Sequence, residues 1–423
     1  MKVKALKGFK DILPDEVGSW QFIEATARSI FHRFGFAEIK VPILEKTSLF
    51  ARSIGETTDI VEKEMYTFED RNGDLITMRP EGTASVLRAF IEHSLHTKQP
   101  VQKLFTIGPM FRHERPQKGR LRQFHQMSVE VLGADQPLLD AEVMAMAWTL
   151  LDDVGLPISL EINSLGCPAC RPDFNNALVS FLEERSEGIC EDCERRRHKN
   201  PLRVLDCKND NCRELYKDSP SILDHLCREC DEHFKSVEQG LIMLNIPYRV
   251  NSFMVRGLDY YSRTTFELIT DELGAQSAVG AGGRYDGLVK QLGGPSLPGI
   301  GFAIGMERLV LLLQQHAETP PLPKNDIFIA ALGSAAQEKA FVLAHALRKK
   351  GLTAALDYAA RSLKSQMKQA DKLLSRYTLI IGDEELQRRE GTLRNMETKE
   401  QQSVALGSDV EKLSTQLAEK LGI

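Results

Sequence analysis

Residues 111–130 read FRHERPQKGRLRQFHQMSVE, and the fold is best read outward from this stretch. Between Arg112 and Arg122 stand five basic residues (Arg112, Arg115, Lys118, Arg120, Arg122) against one carboxylate, Glu114. Pro116 and Gly119 break regular structure in the middle. The flanks, residues 103–111 and 124–132, have extended character, so the stretch is predicted as strand, basic loop, strand. Arginines on a rigid hairpin make forked, charge-assisted bonds to phosphate oxygens. Phe124 on the returning strand offers a flat apolar face on which a base can stack. A solvated, charged hairpin tip is the plain alternative for any basic loop, and the rest of the chain has to decide between them.

The chain has 423 residues, enough for two or three domains at roughly 100–200 residues each. Its 42% hydrophobic and 27% charged residues are those of an ordinary globular protein. The net charge of −5 is small, so any nucleic-acid contact must come from local basic patches and not from a global field. The first residues, MKVKALKGFKDILPDE, lack the apolar core and cleavage site of a secretory signal. Apolar runs such as 143–148 and 309–313 are too short to span a bilayer. The expectation is a cytoplasmic chain without a membrane partner.

Taken in order, residues 16–34 carry apolar positions at helical spacing, closed by Gly35. Residues 38–44 alternate as a strand, and Pro42 within it points to an edge or interface strand. Residues 65–69 and 75–78 flank Arg71-Asn72-Gly73-Asp74, a hairpin signal. Arg79-Pro80-Glu81-Gly82-Thr83 then opens a helix over 84–93, with Thr83 as its expected N-cap. A helix over 138–151 and a strand over 158–163 precede a polar, cysteine-rich, mostly helical stretch, 167–246, read as an insertion. Strands are expected over 248–255, 264–270 and 299–305, with a glycine-rich turn over 281–287 and a helix over 306–315. Residues 316–325 hold three prolines and read as a linker. Beyond it strands (327–332, 353–357, 377–381) alternate with helices (335–349, 363–374), as βαβ units in a small, largely parallel α/β domain. The domains are then 1–166 and 247–318, two parts of one α+β body, the insertion 167–246, and a C-terminal domain 326–423.

Four separated segments place polar groups on loops or strand ends: 79–83, 112–130, 256–261 and 301–308. Any one could hold a structural arginine or a cap. Four together suggest one site for a polyanion and a small zwitterion. No Walker A sequence occurs, so a nucleotide would be held by arginines and metal and not by a P-loop.

These segments also carry a resemblance. FRHERPQ with GRLRQFHQ (119–126) resembles the second signature motif of class II aminoacyl-tRNA synthetases, in the form used by histidyl-tRNA synthetases. GFAIGMER (301–308) resembles the third motif, and the helix, strand and Pro42 resemble the first, which in that family lies at a dimer interface. RGLDYY (256–261) resembles a motif restricted to histidyl-tRNA synthetases and their relatives, and residues 281–288 resemble its companion. The resemblance covers nearly the whole chain and is least typical over 167–230. It implies a class II synthetase-like antiparallel sheet with flanking helices, a C-terminal anticodon-binding-like domain, and a homodimer. The implied reaction is ligation of L-histidine to tRNA(His) through a histidyl-adenylate, using ATP with Mg²⁺.

The resemblance also implies roles. Arg112 and Arg256 are catalytic, meeting charge on the α-phosphate; Arg112, Glu114, Arg120, Phe124 and Arg308 bind ATP. Glu81, Thr83 and Gln126 hold the histidine ammonium, Glu130 and Tyr261 the imidazole, with Arg256, Tyr260 and Tyr285 completing the pocket. Arg115, Gln117, Lys118 and Arg122 form a loop for the tRNA acceptor end. On residue type alone, Glu130 could equally be a salt-bridged structural residue.

All eight cysteines lie between 167 and 230. Cys167/Cys170, Cys190/Cys193 and Cys227/Cys230 each enclose two residues, and Cys207/Cys212 enclose four. Such knuckles build tetrathiolate zinc sites. Two knuckles make one site, so two zinc ions with three possible pairings, a single zinc, or reduced packing thiols all fit the spacing. Arg195-Arg196-Arg197-His198-Lys199 is a basic run suited to tRNA or to a solvated helix face. Two other functions compete. A histidine-sensing regulatory paralogue of the synthetase typically lacks the tail domain and part of the arginine set, whereas this chain has both. A zinc-dependent nucleic-acid-binding protein leaves the four arginine segments unexplained.

Overall fold

The basic stretch is the tip of the longest hairpin in the computed structural model, which describes residues 3–55, 58–185, 187–199, 201–207, 209–273, 278–316 and 324–422. The linker expected over 316–325 lies largely outside these residues. The described chain forms two compact units, Met1–Pro320 and Pro321–Ile423.

In the first unit the strands are, in chain order, β1 (Ala37–Glu38), β2 (Leu44–Lys46), β3 (Tyr66–Glu69), β4 (Leu75–Met78), β5 (Gln102–Phe111), β6 (Gln123–Leu132), β7 (Ser159–Ser164), β8 (Tyr248–Val250), β9 (Ser262–Ile269), β10 (Ala278–Arg284) and β11 (Gly299–Gly305). Eight of them make one sheet, ordered β1-β5-β6-β11-β10-β9-β7-β8. Its centre is antiparallel, as expected, but both edges, β1 on β5 and β8 on β7, run parallel. Ten residue pairs, from Gln102↔Leu132 to Phe111↔Gln123, hold the β5–β6 hairpin.

The period-2 alternation of β6 and β11 separates the two faces of the sheet. Met127, Val129 and Val131, with Ile300, Phe302 and Ile304, turn to a core shared with helices Val17–Arg33, Pro137–Asp153 and Met306–His316. Gln126, Ser128 and Glu130 turn the other way. Helix Arg228–Met243, at the end of the cysteine-rich stretch, also contributes Phe234, Val237 and Leu241 to this core.

Three local expectations are corrected. Pro42 interrupts the strand predicted over 38–44, leaving β1 and β2 as short flanking pieces, because proline cannot donate to a ladder. The strand predicted over 248–255 ends at Val250, where the Asn251 side chain turns back to accept from Phe253 N at 3.1 Å. The glycine-rich residues 281–284 are strand β10 and not a turn. Their glycines serve close strand packing: a Cβ on Gly282 would lie 2.3 Å from the Gly301 carbonyl oxygen and 2.6 Å from Phe266. The Asn-Gly hairpin forms as predicted, with Gly73 at φ +85° between β3 and β4.

The second unit has a five-stranded sheet of β12 (Ile327–Leu332), β13 (Ala354–Leu356), β14 (Tyr377–Gly382), β15 (Glu390–Asn395) and β16 (Gln401–Ala405), ordered β13-β12-β14-β15-β16. The first three strands are parallel, as the βαβ pattern requires. The antiparallel β15–β16 addition was not foreseen.

Candidate active site

Over the face of the eight-stranded sheet that carries Gln126, away from the helical core, lies a cleft of about 1370 Å³. Arg112, Arg120, Arg256 and Arg308, from three regions of the chain, line it together with Phe124, Tyr260 and Tyr261. Arg112 leaves the end of β5, donates from Nε to the Pro80 carbonyl at 2.8 Å, and stacks 5.3 Å above the Phe124 ring. Arg120 pairs with Glu114, which also lies 3.7 Å from Arg112. Arg308, in the first turn of helix Met306–His316, donates to the carbonyls of Ala278 and Gly119. Burial lowers the pKa of Arg308, and Arg120 and Arg112 nearby lower it further. A guanidinium stays charged regardless, so three cations are held at mutual electrostatic cost, as a binding site for a polyanion requires.

Glu81 organises the adjacent corner. The helix expected from residue 84 begins at Thr83, with Gly82 as N-cap. The cap is supplied by Glu81, whose carboxylate accepts from Thr83 N at 2.7 Å and Ala84 N at 2.8 Å. Thr83 is thereby released from capping, and its hydroxyl donates to Glu130 Oε1 at 2.7 Å. The Tyr285 hydroxyl donates to the other Glu130 oxygen.

Glu130 is therefore no member of a salt bridge among the described residues. It is a carboxyl 1% exposed, not itself a lining residue of the cleft, and it is held by the hydroxyls of Thr83 and Tyr285, which are. Burial raises its pKa to about 8, the hydroxyls pulling the other way. Gly301, paired with it across β6 and β11, leaves room for this carboxyl, since a Cβ there would lie 2.2 Å from Glu130 Oε2. Tyr285 and Tyr260 are held well above the ordinary phenol range, chiefly by burial.

Arg256 ion-pairs with Glu267 on β9 and lies 5.3 Å from the Tyr261 ring. Its Nε and the Oε1 of Gln126 are buried polar atoms with no partner among the described residues. Arg79, in contrast, is a strut: its guanidinium donates to the Pro109 and Val41 carbonyls, both at 2.9 Å.

The loop residues divide. Arg115, Gln117 and Lys118 are exposed at the hairpin tip, where Gly119 takes φ +73°. Arg122 is not available in the same way. Its backbone bonds Gly8 and its Nε donates to the Glu114 carbonyl at 3.2 Å, so it anchors the N-terminal segment. In the basic run, Arg195 and Arg197 pair with Asp192 and Glu194 on their own helix.

Sequence reading missed Glu267. Its only signal was its place in the alternation of β9, one residue from the buried Phe266. It also missed that the insertion lines the cleft, with Asp206, Arg213 and Lys217 among the residues there.

Comparison with known proteins agrees with this geometry. A histidyl-tRNA synthetase family profile matches residues 8–169 and 200–309, and an anticodon-binding-domain profile matches 326–416. The histidine–tRNA ligase of Desulfotalea psychrophila is 60% identical over 407 residues, covering 96% of this chain and 94% of its own. That of Trichlorobacter lovleyi is 57% identical over 409 residues, 96% of each chain. The crystal structure of apo Staphylococcus aureus histidyl-tRNA synthetase superposes with a TM-score of 0.82 at 39% identity, over 98% of this chain and 100% of that one. A cleft of converging arginines on a largely antiparallel sheet, followed by an α/β anticodon-binding domain, defines an aminoacyl-tRNA synthetase of class II. With these matches over nearly its full length, the chain belongs to the histidyl-tRNA synthetase family, and its activity is histidine–tRNA ligation. The tail domain and the intact arginine set argue against the two competing functions. No helix among the described residues is long and apolar enough to cross a membrane.

Proposed function

We propose that the cleft activates L-histidine in two displacements for transfer to tRNA(His). The histidine carboxylate attacks the α-phosphorus of ATP and diphosphate leaves. A terminal ribose hydroxyl of the tRNA then attacks the adenylate carbonyl, and AMP leaves. No general base is needed for the first step, because the carboxylate is already ionised at neutral pH. What it needs is positioning and cancellation of charge on the phosphoryl oxygens. Arg112 and Arg256 serve there, Arg308 and Arg120 hold the rest of the nucleotide, and Phe124 stacks on the adenine. Mg²⁺, when bound, would take oxygen ligands and offset part of the triphosphate charge; Glu114, paired with Arg120, is a carboxylate at the cleft that would be placed to hold it. Glu81, Thr83 and Gln126 face the histidine ammonium. Glu130 and Tyr261 read the imidazole, supported by Tyr260 and Tyr285. Arg115, Gln117 and Lys118 are the exposed groups for the acceptor end, whereas Arg122 positions the loop.

The observation that carries this reading is the convergence of Arg112, Arg256 and Arg308 on one cleft whose lining includes Thr83 and Tyr285, the two residues that hold Glu130. Histidine-dependent exchange of pyrophosphate into ATP tests it; absence of exchange with histidine present sinks it.

Glu130 adds a pH signature. With its carboxyl raised from 4.5 to about 8, the free protein holds this proton at pH 7. A ring N–H brought to Glu130 favours the carboxylate, so histidine binding is expected to release a proton near pH 7, fading above about pH 8. Calorimetry in buffers of different ionisation heat reads the release, and Glu130→Gln should lose it. The same shift has a stability consequence. Between pH 4.5 and about 8 the folded state keeps a proton the unfolded chain gives up, so this group's contribution to stability declines as pH rises through that window.

A homodimer is part of the proposal. Leu44, Tyr66, Phe68, Ile76 and Met78 fall on one face of the β2-β4-β3 sheet by register, and Leu44 and Phe68 are exposed. An apolar sheet face next to Pro42 suits a second copy of the chain. Light scattering should give twice 47.5 kDa, and Phe68→Asp should shift the mass toward one chain.

A further inference from the structure

We infer that each of the two cysteine clusters holds one zinc ion, and that the two ions brace opposite ends of the Arg256–Tyr261 segment of the cleft. The metal assignment stands apart from the synthetase reading; the bracing role rests on it.

Of the three pairings the spacing allows, the fold selects one. Cys167 and Cys170 meet Cys227 and Cys230, and Cys190 and Cys193 meet Cys207 and Cys212, the second set nested inside the first. Within each set the four sulfurs lie no more than 4.8 Å apart. Individual separations are 3.6 Å for Cys167–Cys170, 3.9 Å for Cys167–Cys227 and 3.8 Å for Cys190–Cys207. A tetrahedron with Zn–S arms of about 2.3 Å has edges of about 3.8 Å. All eight cysteines are free in the structure, with sulfurs at ligand separation and not at bonding distance. A multi-iron cluster would insert its own irons and sulfides and spread the thiolates farther apart.

The surrounding backbone supports anionic sulfur. Cys227 N donates to Cys170 Sγ at 3.1 Å, and Cys190 N donates to Cys212 Sγ at 3.2 Å. Such outer bonds orient ligands around a metal. Gly166 sits at φ +60°, where a Cβ would lie 2.8 Å from the Cys170 Cβ, so the first knuckle needs a glycine before it. The lobe's own apolar core, built around Phe174, Leu178, Val204 and Ile222, is small, and small cores usually need a metal or another staple.

Each cluster carries an arginine to the cleft segment. Arg171, next to Cys170, donates to the Tyr261 carbonyl. Arg203, in the turn Pro201–Val204 that leads to Cys207, donates to the Arg256 carbonyl at 3.2 Å. The first and last residues of the segment are thus tied to different clusters.

Elemental analysis of the full-length protein, purified without chelator, should find two zinc ions per chain. Cys193→Ser and Cys230→Ser should each retain one. Less than about two zinc in the parent protein, iron in their place, or cysteines found as disulfides would overturn the assignment. For the brace, Arg203→Ala should keep both ions yet raise the KM for histidine roughly 10-fold in the exchange assay, with kcat less affected. An unchanged KM would overturn that part. If the parent protein carries two zinc ions but shows no histidine-dependent exchange, the synthetase reading fails and the metal sites remain.

Discussion

Arg256→Ala is expected to lower kcat for adenylate formation by roughly 10²–10³-fold, about 3–4 kcal/mol of lost transition-state stabilisation. The guanidinium is set in the cleft by Glu267 and the Tyr261 ring, and its Nε is a buried donor with no partner among the described residues. Burial works against its charge, and Tyr261 and Glu267 more than restore it. The side chain is therefore held charged and oriented before substrate arrives. Charge gathers on the phosphoryl oxygens mainly in the transition state, so kcat should fall more than the KM for ATP rises. Arg256→Lys keeps the charge but loses the fork, and should recover only part of the rate. The fold should survive, because Glu267 is already raised by burial and can take up a proton once its partner is gone. Exchange within a few-fold of the parent, in a normally folded variant, would remove Arg256 from the chemistry.

The largest effect on stability is expected at Arg284, which no substrate role claims. Arg284 and Asp140 are both fully buried. The guanidinium ion-pairs with Asp140 at 2.7 Å and donates hydrogen bonds to Asp140 at 2.9 Å, Asp286 at 3.1 Å and the Ala134 carbonyl at 3.2 Å, tying β10 to helix Pro137–Asp153. Burial still pushes the Asp140 carboxyl up to about 6, Arg284 pulling it down. Desolvation thus outweighs attraction, and the pair as a whole need not add stability. Removing one member is another matter, because it leaves a buried charge uncompensated. Arg284→Ala should cost about 3–5 kcal/mol, read as a lower urea midpoint, whereas Arg284→Met with Asp140→Leu should be close to neutral. The loss should shrink toward pH 5, where Asp140 takes up a proton. A single variant that loses less than about 1 kcal/mol would contradict this account.

Much of the fold was legible locally. The β5–β6 hairpin, the Asn-Gly turn, the main helices and the three parallel tail strands follow from periodicity and turn chemistry, which act between near neighbours in sequence. The same holds for the four polar segments, because glycine, proline and arginine mark loops that approach a ligand. The glycines of β10 misled for a physical reason: a turn and a close-packed strand interior both require the missing Cβ, and sequence does not distinguish them.

By itself, then, the sequence marked the candidate residues: the arginines, the Glu130 carboxyl, the tyrosines and four cysteine knuckles. Tertiary structure alone decided their partners. It set Glu267 against Arg256, gave Glu81 the cap that frees Thr83, tied Arg122 to Gly8, and matched the outer knuckles with each other and the inner with each other. Apart from the Glu81 cap, which is local, and the Arg256–Glu267 pair, 11 positions apart, these pairings join residues from 17 positions apart, as Cys190 and Cys207, to more than 100, as Gly8 and Arg122. Local propensity carries no information across such distances, and they are settled only when strands register and helices pack on the sheet.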